Sequence, residues 1–248
     1  MPFLTRYADD PSAPTVGAAL KDSWRRAVLP GLVLWCVIVG IGALITGPLG
    51  GLPRELSINQ SLEAGRTPAM DTITMFWSRI GDTEIIIGTC VITVALMLWR
   101  TRQWWFSAIP ALAISLQAAI FVVATTVADR ERPAGVERLD PAPPTSSYPS
   151  GHVGASFALY LTLALIAQRI QNAALRRLVT VLCVVVPSLV FYARLYRGMH
   201  HLTDCIVGVI NGTVCAILAW HYLRRRGDSD ASSGQAGQMR ANLARANE

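Results

Sequence analysis

Residues 27–53 read AVLPGLVLWCVIVGIGALITGPLGGLP, without one charged side chain. A helix needs about 20 mostly apolar residues to cross the hydrocarbon of a bilayer. A second uncharged stretch, Gln103–Ala128, repeats the signal, and shorter apolar runs lie at Thr83–Trp99, Gly151–Gln168, Leu178–Ala193 and Cys205–Leu223. Lipid cannot hydrogen-bond an open backbone, so such runs cross as helices. The expectation is an all-α polytopic membrane protein with six transmembrane helices. Composition agrees: 52% of the 248 residues are hydrophobic and 15% charged, against about 25% charged in an ordinary soluble domain. The first run is too long for a signal-peptide core and has no clear small-x-small cleavage site, so it is expected to be retained.

The net charge is +6. No basic stripe with interleaved aromatics runs through the chain, which argues against a nucleic-acid partner. The cations punctuate the apolar runs instead. Lys21, Arg25, Arg26, Arg100, Arg102, Arg169, Arg176, Arg177, Arg224, Arg225 and Arg226 fall on one side of the six-span topology. Arg54, Arg66, Arg79, Arg130, Arg132, Arg138, Arg194 and Arg197 fall on the other. Eleven against eight places both termini in the cytoplasm by the positive-inside rule. Trp99, Trp104 and Trp105 bracket an inner loop, as interfacial tryptophans do. Cys36, Cys90, Cys183, Cys205 and Cys215 lie in or beside the runs without metal-ligand spacing, and read as small packing residues.

Three parts are expected: a cytoplasmic segment 1–28 with a short helix at 15–28, a six-helix domain at 29–223, and a basic then disordered cytoplasmic tail at 224–248. Pro68–Ile80 carries Met70, Ile73, Phe76 and Trp77 at helical spacing, the pattern of an amphipathic helix on the membrane surface. Asp129–Pro149 is rich in charge and then proline, and reads as a rigid, exposed loop.

Three polar clusters interrupt the apolar pattern: Asp129-Arg-Glu-Arg-Pro133, Tyr148-Pro-Ser-Gly-His152, and Arg194-Leu-Tyr-Arg-Gly-Met-His-His-Leu-Thr-Asp204. Counting crossings puts all three at the outer membrane–water interface, and ionisable groups at membrane depth are costly and usually functional. Arg132 and Arg194 have the fork that binds phosphate oxygens in pairs. Ser150 is a good helix N-cap, the free amides there favour an anion, and Gly151 permits close approach to the backbone. His152, in that first turn, is suited to giving a proton to a leaving oxygen. His200 and Asp204 stand four apart, so on a helix the carboxylate would orient the imidazole and leave its other nitrogen free to attack. His201 fits this geometry less well. Arg197 reads equally as a phosphate ligand or an ion-pair partner.

These clusters resemble the signature of the type 2 phosphatidic acid phosphatase superfamily, which includes lipid phosphate phosphatases and vanadium haloperoxidases. Arg132-Pro133 matches the end of its first motif, Pro149-Ser150-Gly151-His152 the whole second, and Arg194, His200 and Asp204 the third at the right spacing. The resemblance covers roughly residues 55–222. It implies that His200 attacks phosphorus to form a phosphohistidine and that His152 protonates the leaving group and later activates water. Asp204 would orient His200, while Arg132, Arg194, Ser150 and Gly151 hold the phosphoryl oxygens. No metal or cofactor is implied. It implies a lipid phosphate or diphosphate as substrate: undecaprenyl diphosphate, phosphatidic acid and phosphatidylglycerophosphate are all compatible. With the short loops, it also implies a bacterial inner membrane.

Two positions depart from the pattern. Thr125 stands where the family has lysine, and Ala193 where it has serine. Arg130 could supply the missing charge, since Lys21 is the only lysine in the chain. Three other readings use the same residues: a metal site of His152, His200, His201 and Asp204, a lipid phosphotransferase, and a lipid-phosphate-binding pseudophosphatase. Neighbouring arginines oppose the first by repelling a cation.

Overall fold

The computed structural model describes residues 3–4, 6–7, 13–141 and 145–223, and the expected disordered tail lies outside them. Every regular element among the described residues is helical. Helix α1 (Val16–Ser23) runs through a π turn at Trp24–Val28 into α2 (Leu29–Thr46). Two short helices, α3 (Leu56–Ala64) and α4 (Pro68–Ile80), lead to α5 (Thr83–Thr101). After the turn α6 (Trp104–Ser107) come α7 (Ile109–Ala128), α8 (Gly151–Ala167), α9 (Ala173–Tyr196) and α10 (Leu202–Trp220).

By length and apolar composition, five stretches can cross a membrane: Val16–Thr46, Thr83–Thr101, Trp104–Ala128, Ala173–Tyr196 and Leu202–Trp220. The sixth expected crossing, α8, has 17 residues. At 1.5 Å per residue it spans about 26 Å, just short of a hydrocarbon core of about 30 Å. Val33, Val37, Leu44, Val91, Ile92, Leu96, Val181 and Leu182 face outward and exposed. So wide an apolar surface is one that lipid covers.

Helix α8 is the hub, packed against α7, α9 and α10. Its approach to α10 depends on missing side chains. A Cβ on Gly212 would lie 2.3 Å from the Gly154 carbonyl, and one on Gly208 would lie 2.8 Å from the Ser150 carbonyl. Small residues let membrane helices bring their backbones together in this way. The Ser150 amide then donates to the Asp204 carbonyl at 3.0 Å, tying the starts of the two helices to each other.

Helix α4 forms where the sequence places it. Thr67 caps it, its hydroxyl accepting from the Met70 amide at 3.3 Å, and Pro68 opens the first turn. Ile73, Met75 and Phe76 are exposed, while Thr74 and Ser78 are buried against the bundle. The segment 129–149 departs from expectation in part. Asp129, Glu131, Ala134, Gly135, Glu137, Arg138, Pro141 and Thr145 are exposed as expected, but Arg130, Pro133, Val136 and Ser146–Pro149 are buried, so the loop is open on one side only. Its backbone finds partners inward: the Ser147 amide donates to the Arg130 carbonyl at 2.8 Å and the Leu139 amide to the Arg197 carbonyl at 3.2 Å. The prolines supply stiffness, and burial comes from polar groups that need acceptors.

Gly212→Ala should cost about 1–3 kcal/mol, as overpacking does, and lower the thermal midpoint in detergent. Gly40→Ala, where a Cβ meets nothing within 4 Å, should leave it unchanged or raise it.

Candidate active site

His200 lies outside the helices, in the corner between α9 and α10. Gly198 makes that corner possible with φ of 68°, a left-handed conformation that glycine adopts freely. The His200 ring is 4% exposed, and its Nδ1 lies 2.7 Å from the Ser147 carbonyl. A carbonyl only accepts, so Nδ1 carries the proton and Nε2 keeps its lone pair. Burial above all, then the charges of Arg194 and Arg132, hold the His200 pKa well below the usual imidazole range, against the raising effect of the Ser147 bond. The ring is therefore neutral at pH 7, the form a nucleophile needs.

The expected contact between Asp204 and the His200 ring is not made. Helix α10 begins at Leu202 with His201 as its N-cap, so His200 and Asp204 do not share a helical face. The carboxylate is spent on the cap: Oδ2 accepts from the His201 amide at 2.8 Å. Its Oδ1 takes Arg130 Nη1 at 2.5 Å. Asp204 thus fixes the backbone beside His200, and a peptide carbonyl orients the ring.

Arg130 also departs from expectation as a phosphate ligand. Its guanidinium donates to Asp204, to Thr203 Oγ1 at 2.7 Å and to the Gly51 carbonyl at 2.7 Å, with Glu55 at 3.4 Å. It follows the first turn of α10 toward the segment before α3, away from the cavity that holds His200. It does not stand in for a lysine at position 125. Thr125 is buried, with its hydroxyl 3.5 Å from the Ser146 carbonyl. His201 also turns away, its Nε2 3.3 Å from the Glu131 carbonyl.

A cavity of about 810 Å³ opens beside His200. Arg132, His152, Arg194, Asp82 and Asp140 line its polar end, and Ile86, Ile114, Phe121 and Val122 its apolar part. Arg132 is anchored by one donor, Nη1 to the Met199 carbonyl at 2.7 Å. Arg194 is gripped through Nη1 alone, by Ser78 Oγ at 2.8 Å and Asp140 Oδ2 at 3.0 Å. Its buried Nε has no protein partner among the described residues. The buried Ser150 hydroxyl is hydrogen-bonded with the Cys205 thiol, and Ser150 does not line the cavity. Ser150 sits at the N-cap of α8, but its side chain does not cap. A buried donor left unpaired is costly, and one that shares a cavity with His200 suits an oxygen-rich guest. Gly151 lines the cavity, but its missing side chain is filled by protein: a Cβ there would meet the Phe121 ring at 2.9 Å.

Arg197 resolves as an ion-pair partner. It donates to Asp140 Oδ1 at 2.9 Å, the Asp71 carbonyl at 2.9 Å and the Leu139 carbonyl at 2.8 Å. Burial raises the Asp140 pKa, but the hydrogen bonds of Arg197 and Ser78 and the charges of both arginines win and hold it below the usual carboxylate range. Asp140 is therefore a fixed anion that aims Arg194.

His152 begins α8 and lies 3.0 Å, through Nε2, from Asp82 Oδ1. The motifs miss Asp82, Asp140 and Ser78, although Gly81-Asp82 before an apolar run was a visible polar start. The Ser147 carbonyl leaves no trace in side-chain identities. Among the described residues no three His, Cys, Asp or Glu side chains gather as metal ligands.

Arg130→Ala strands a buried carboxylate, since Asp204 is 0% exposed, and should cost about 3–5 kcal/mol. Asp204→Ala should cost a similar amount. The double variant should lose less than the sum of the two, read from unfolding in mixed micelles.

Comparison with known proteins follows the same residues. No curated protein sequence matches the chain significantly. In fold, the chain resembles the transmembrane PAP2-type phosphatidylglycerolphosphate phosphatase of Bacillus subtilis, with a TM-score of 0.65 at 19% identity over 77% of this chain and 92% of that one. It also resembles LpxE of Aquifex aeolicus, with a TM-score of 0.53 at 22% identity over 66% of this chain and 93% of that one. The family model of the PAP2 superfamily matches residues 106–228, which span the second and third motifs and Arg132-Pro133. Residues 106–228, about half of the chain, thus carry the PAP2 superfamily pattern on a fold similar to that of transmembrane members.

Proposed function

We propose that the protein is a membrane lipid phosphatase that hydrolyses a phosphomonoester or diphosphate of a lipid through a phosphohistidine on His200. One observation carries this reading: a neutral histidine, pinned by Nδ1 and free at Nε2, sits at the arginine-lined end of a cavity whose remainder is apolar. The arginines suit a phosphoryl group and the apolar walls a lipid chain.

In the first step Nε2 of His200 bonds to phosphorus as the bond to the lipid oxygen breaks, and His152 gives that oxygen a proton. In the second, His152 takes a proton from water, whose oxygen attacks phosphorus. The N–P bond breaks, phosphate leaves and His200 is restored. Arg132 and Arg194 would meet the phosphoryl oxygens, whose charge grows in the transition state. Asp204 supports the site through the α10 cap and has no direct role in the chemistry.

The charge asymmetry of the sequence favours cytoplasmic termini in an inner membrane, with α8 as a sixth crossing and the site at the outer face. The phosphatidylglycerolphosphate phosphatase among the structural neighbours makes that lipid a first substrate to test. Phosphatidic acid and undecaprenyl diphosphate follow.

Phosphate release from these three lipids in detergent with EDTA should be detectable for the wild type and fall on the order of 10⁴-fold or more in His200→Ala. Dependence on added zinc would replace this reading with a metal site. Transfer to another lipid alcohol would replace it with a phosphotransferase, and tight lipid-phosphate binding without turnover with a pseudophosphatase.

Arg194→Lys should keep the charge, lose the fork and drop turnover by about 10²–10³-fold. A loss below threefold would remove Arg194 from the transition state.

A further inference from the structure

Asp82 lies outside all three motifs, yet among the described residues it is the one carboxylate in contact with a histidine ring at the cavity. It occupies the N-cap of α5 with extended backbone, φ −62° and ψ 145°, but its side chain makes no capping bond. An aspartate cap is worth about 1 kcal/mol. The carboxylate forgoes that gain and reaches His152 Nε2 at 3.0 Å. The preceding residue holds it there. A Cβ on Gly81 would come within 3.2 Å of the His152 ring atom Cδ2 and 2.9 Å of Val190, so the turn before α5 is pressed directly onto the imidazole.

We propose that Asp82 is a positioning residue for His152, holding the ring by Nε2–H so that Nδ1 exchanges protons with the substrate. This rests on the reading of His152 as the acid and base of the reaction. Nδ1 has no protein partner among the described residues, and the side chain keeps 28% of its surface open. In the first step imidazolium passes its Nδ1 proton to the lipid oxygen as the P–O bond breaks, and Nε2–H stays on Asp82. In the second, Nδ1 takes the proton of the attacking water and the imidazolium is restored. Asp82 keeps its negative charge throughout.

The two histidines therefore have opposite partners. His200 faces a neutral carbonyl, which leaves it an uncharged nucleophile. His152 faces a carboxylate, which holds its Nε2–H and so fixes the nitrogen left for the substrate. Other charges surround the pair: Arg79 from α4, Glu84 on α5, Arg132 and Asp140 from the loop, and Arg194 on α9. None of these is bonded to the ring.

The test compares full-length wild type with Asp82→Asn in detergent, measuring kcat/KM on a lipid phosphate and on p-nitrophenyl phosphate across pH. p-Nitrophenolate leaves without a proton, so it bypasses the acid. Asp82→Asn should lose about 10–100-fold on the lipid ester and less than about threefold on the nitrophenyl ester. Its basic limb should move down by about one pH unit. Asp82→Glu should recover part of the loss. Equal losses on both substrates with an unmoved pH profile would reduce Asp82 to a structural residue and overturn the proposal.

If the wild type cleaves neither substrate, the proposed function fails, and the contact is then judged alone. The chain has four histidines, and the titration of His152 in ¹³C-histidine-labelled protein is read by NMR with His152→Ala as the assignment control. A lower midpoint in Asp82→Asn supports the pairing, and an unchanged one overturns it.

Discussion

The hydrogen bond from the Ser150 amide to the Asp204 carbonyl is the constraint on which the site depends. It forms only because Gly154, Gly208 and Gly212 let α8 and α10 meet backbone to backbone. Two sequence motifs about fifty residues apart thereby become one rigid body. Once the helices are tied, His152 at the start of one and His200 just before the other can share a cavity. The Arg130–Asp204–Glu55 cluster secures the same junction from behind. Buried charges of this kind are costly unless paired, and here both carboxylates share Arg130.

Much of this was legible in the sequence, because lipid imposes strict rules. Uncharged runs gave helices at the expected places, and the apolar spacing of Pro68–Ile80 gave α4. The motif residues His152, Arg132, Arg194 and His200 do come together at one cavity. Reading failed where a side chain had two possible partners. The four-residue spacing of His200 and Asp204 suggested a shared helical face, but spacing alone does not say where a helix starts. With His201 as N-cap, the carboxylate satisfied an amide that would otherwise be unpaired. Arg130 followed it. The Ser147 carbonyl was invisible because any residue carries one.

The arginines illustrate how similar side chains come to differ. Arg197 has carbonyls and a carboxylate on every side, so ordering it is already complete. Arg194 is held at one terminal nitrogen by Asp140 and Ser78, with an unpaired Nε beside it. Anchoring one part of a guanidinium lowers the entropy lost when the rest is engaged. Asp140 does this without neutralising the site, because Arg197 balances its charge.

The cavity is divided by helix as well as by polarity. Its charged end is built from the loops and from the ends of α8 and α9, whereas Ile86, Ile114, Phe121 and Val122 belong to α5 and α7. The glycine contacts that hold the polar end lie on α8 and α10, so the apolar wall can be recut without loosening them. Evolution, or a protein engineer, could therefore change the shape of the hydrocarbon partner one side chain at a time while the reacting groups stay in register. A scaffold partitioned this way is free to diversify in what it accepts and conservative in what it does.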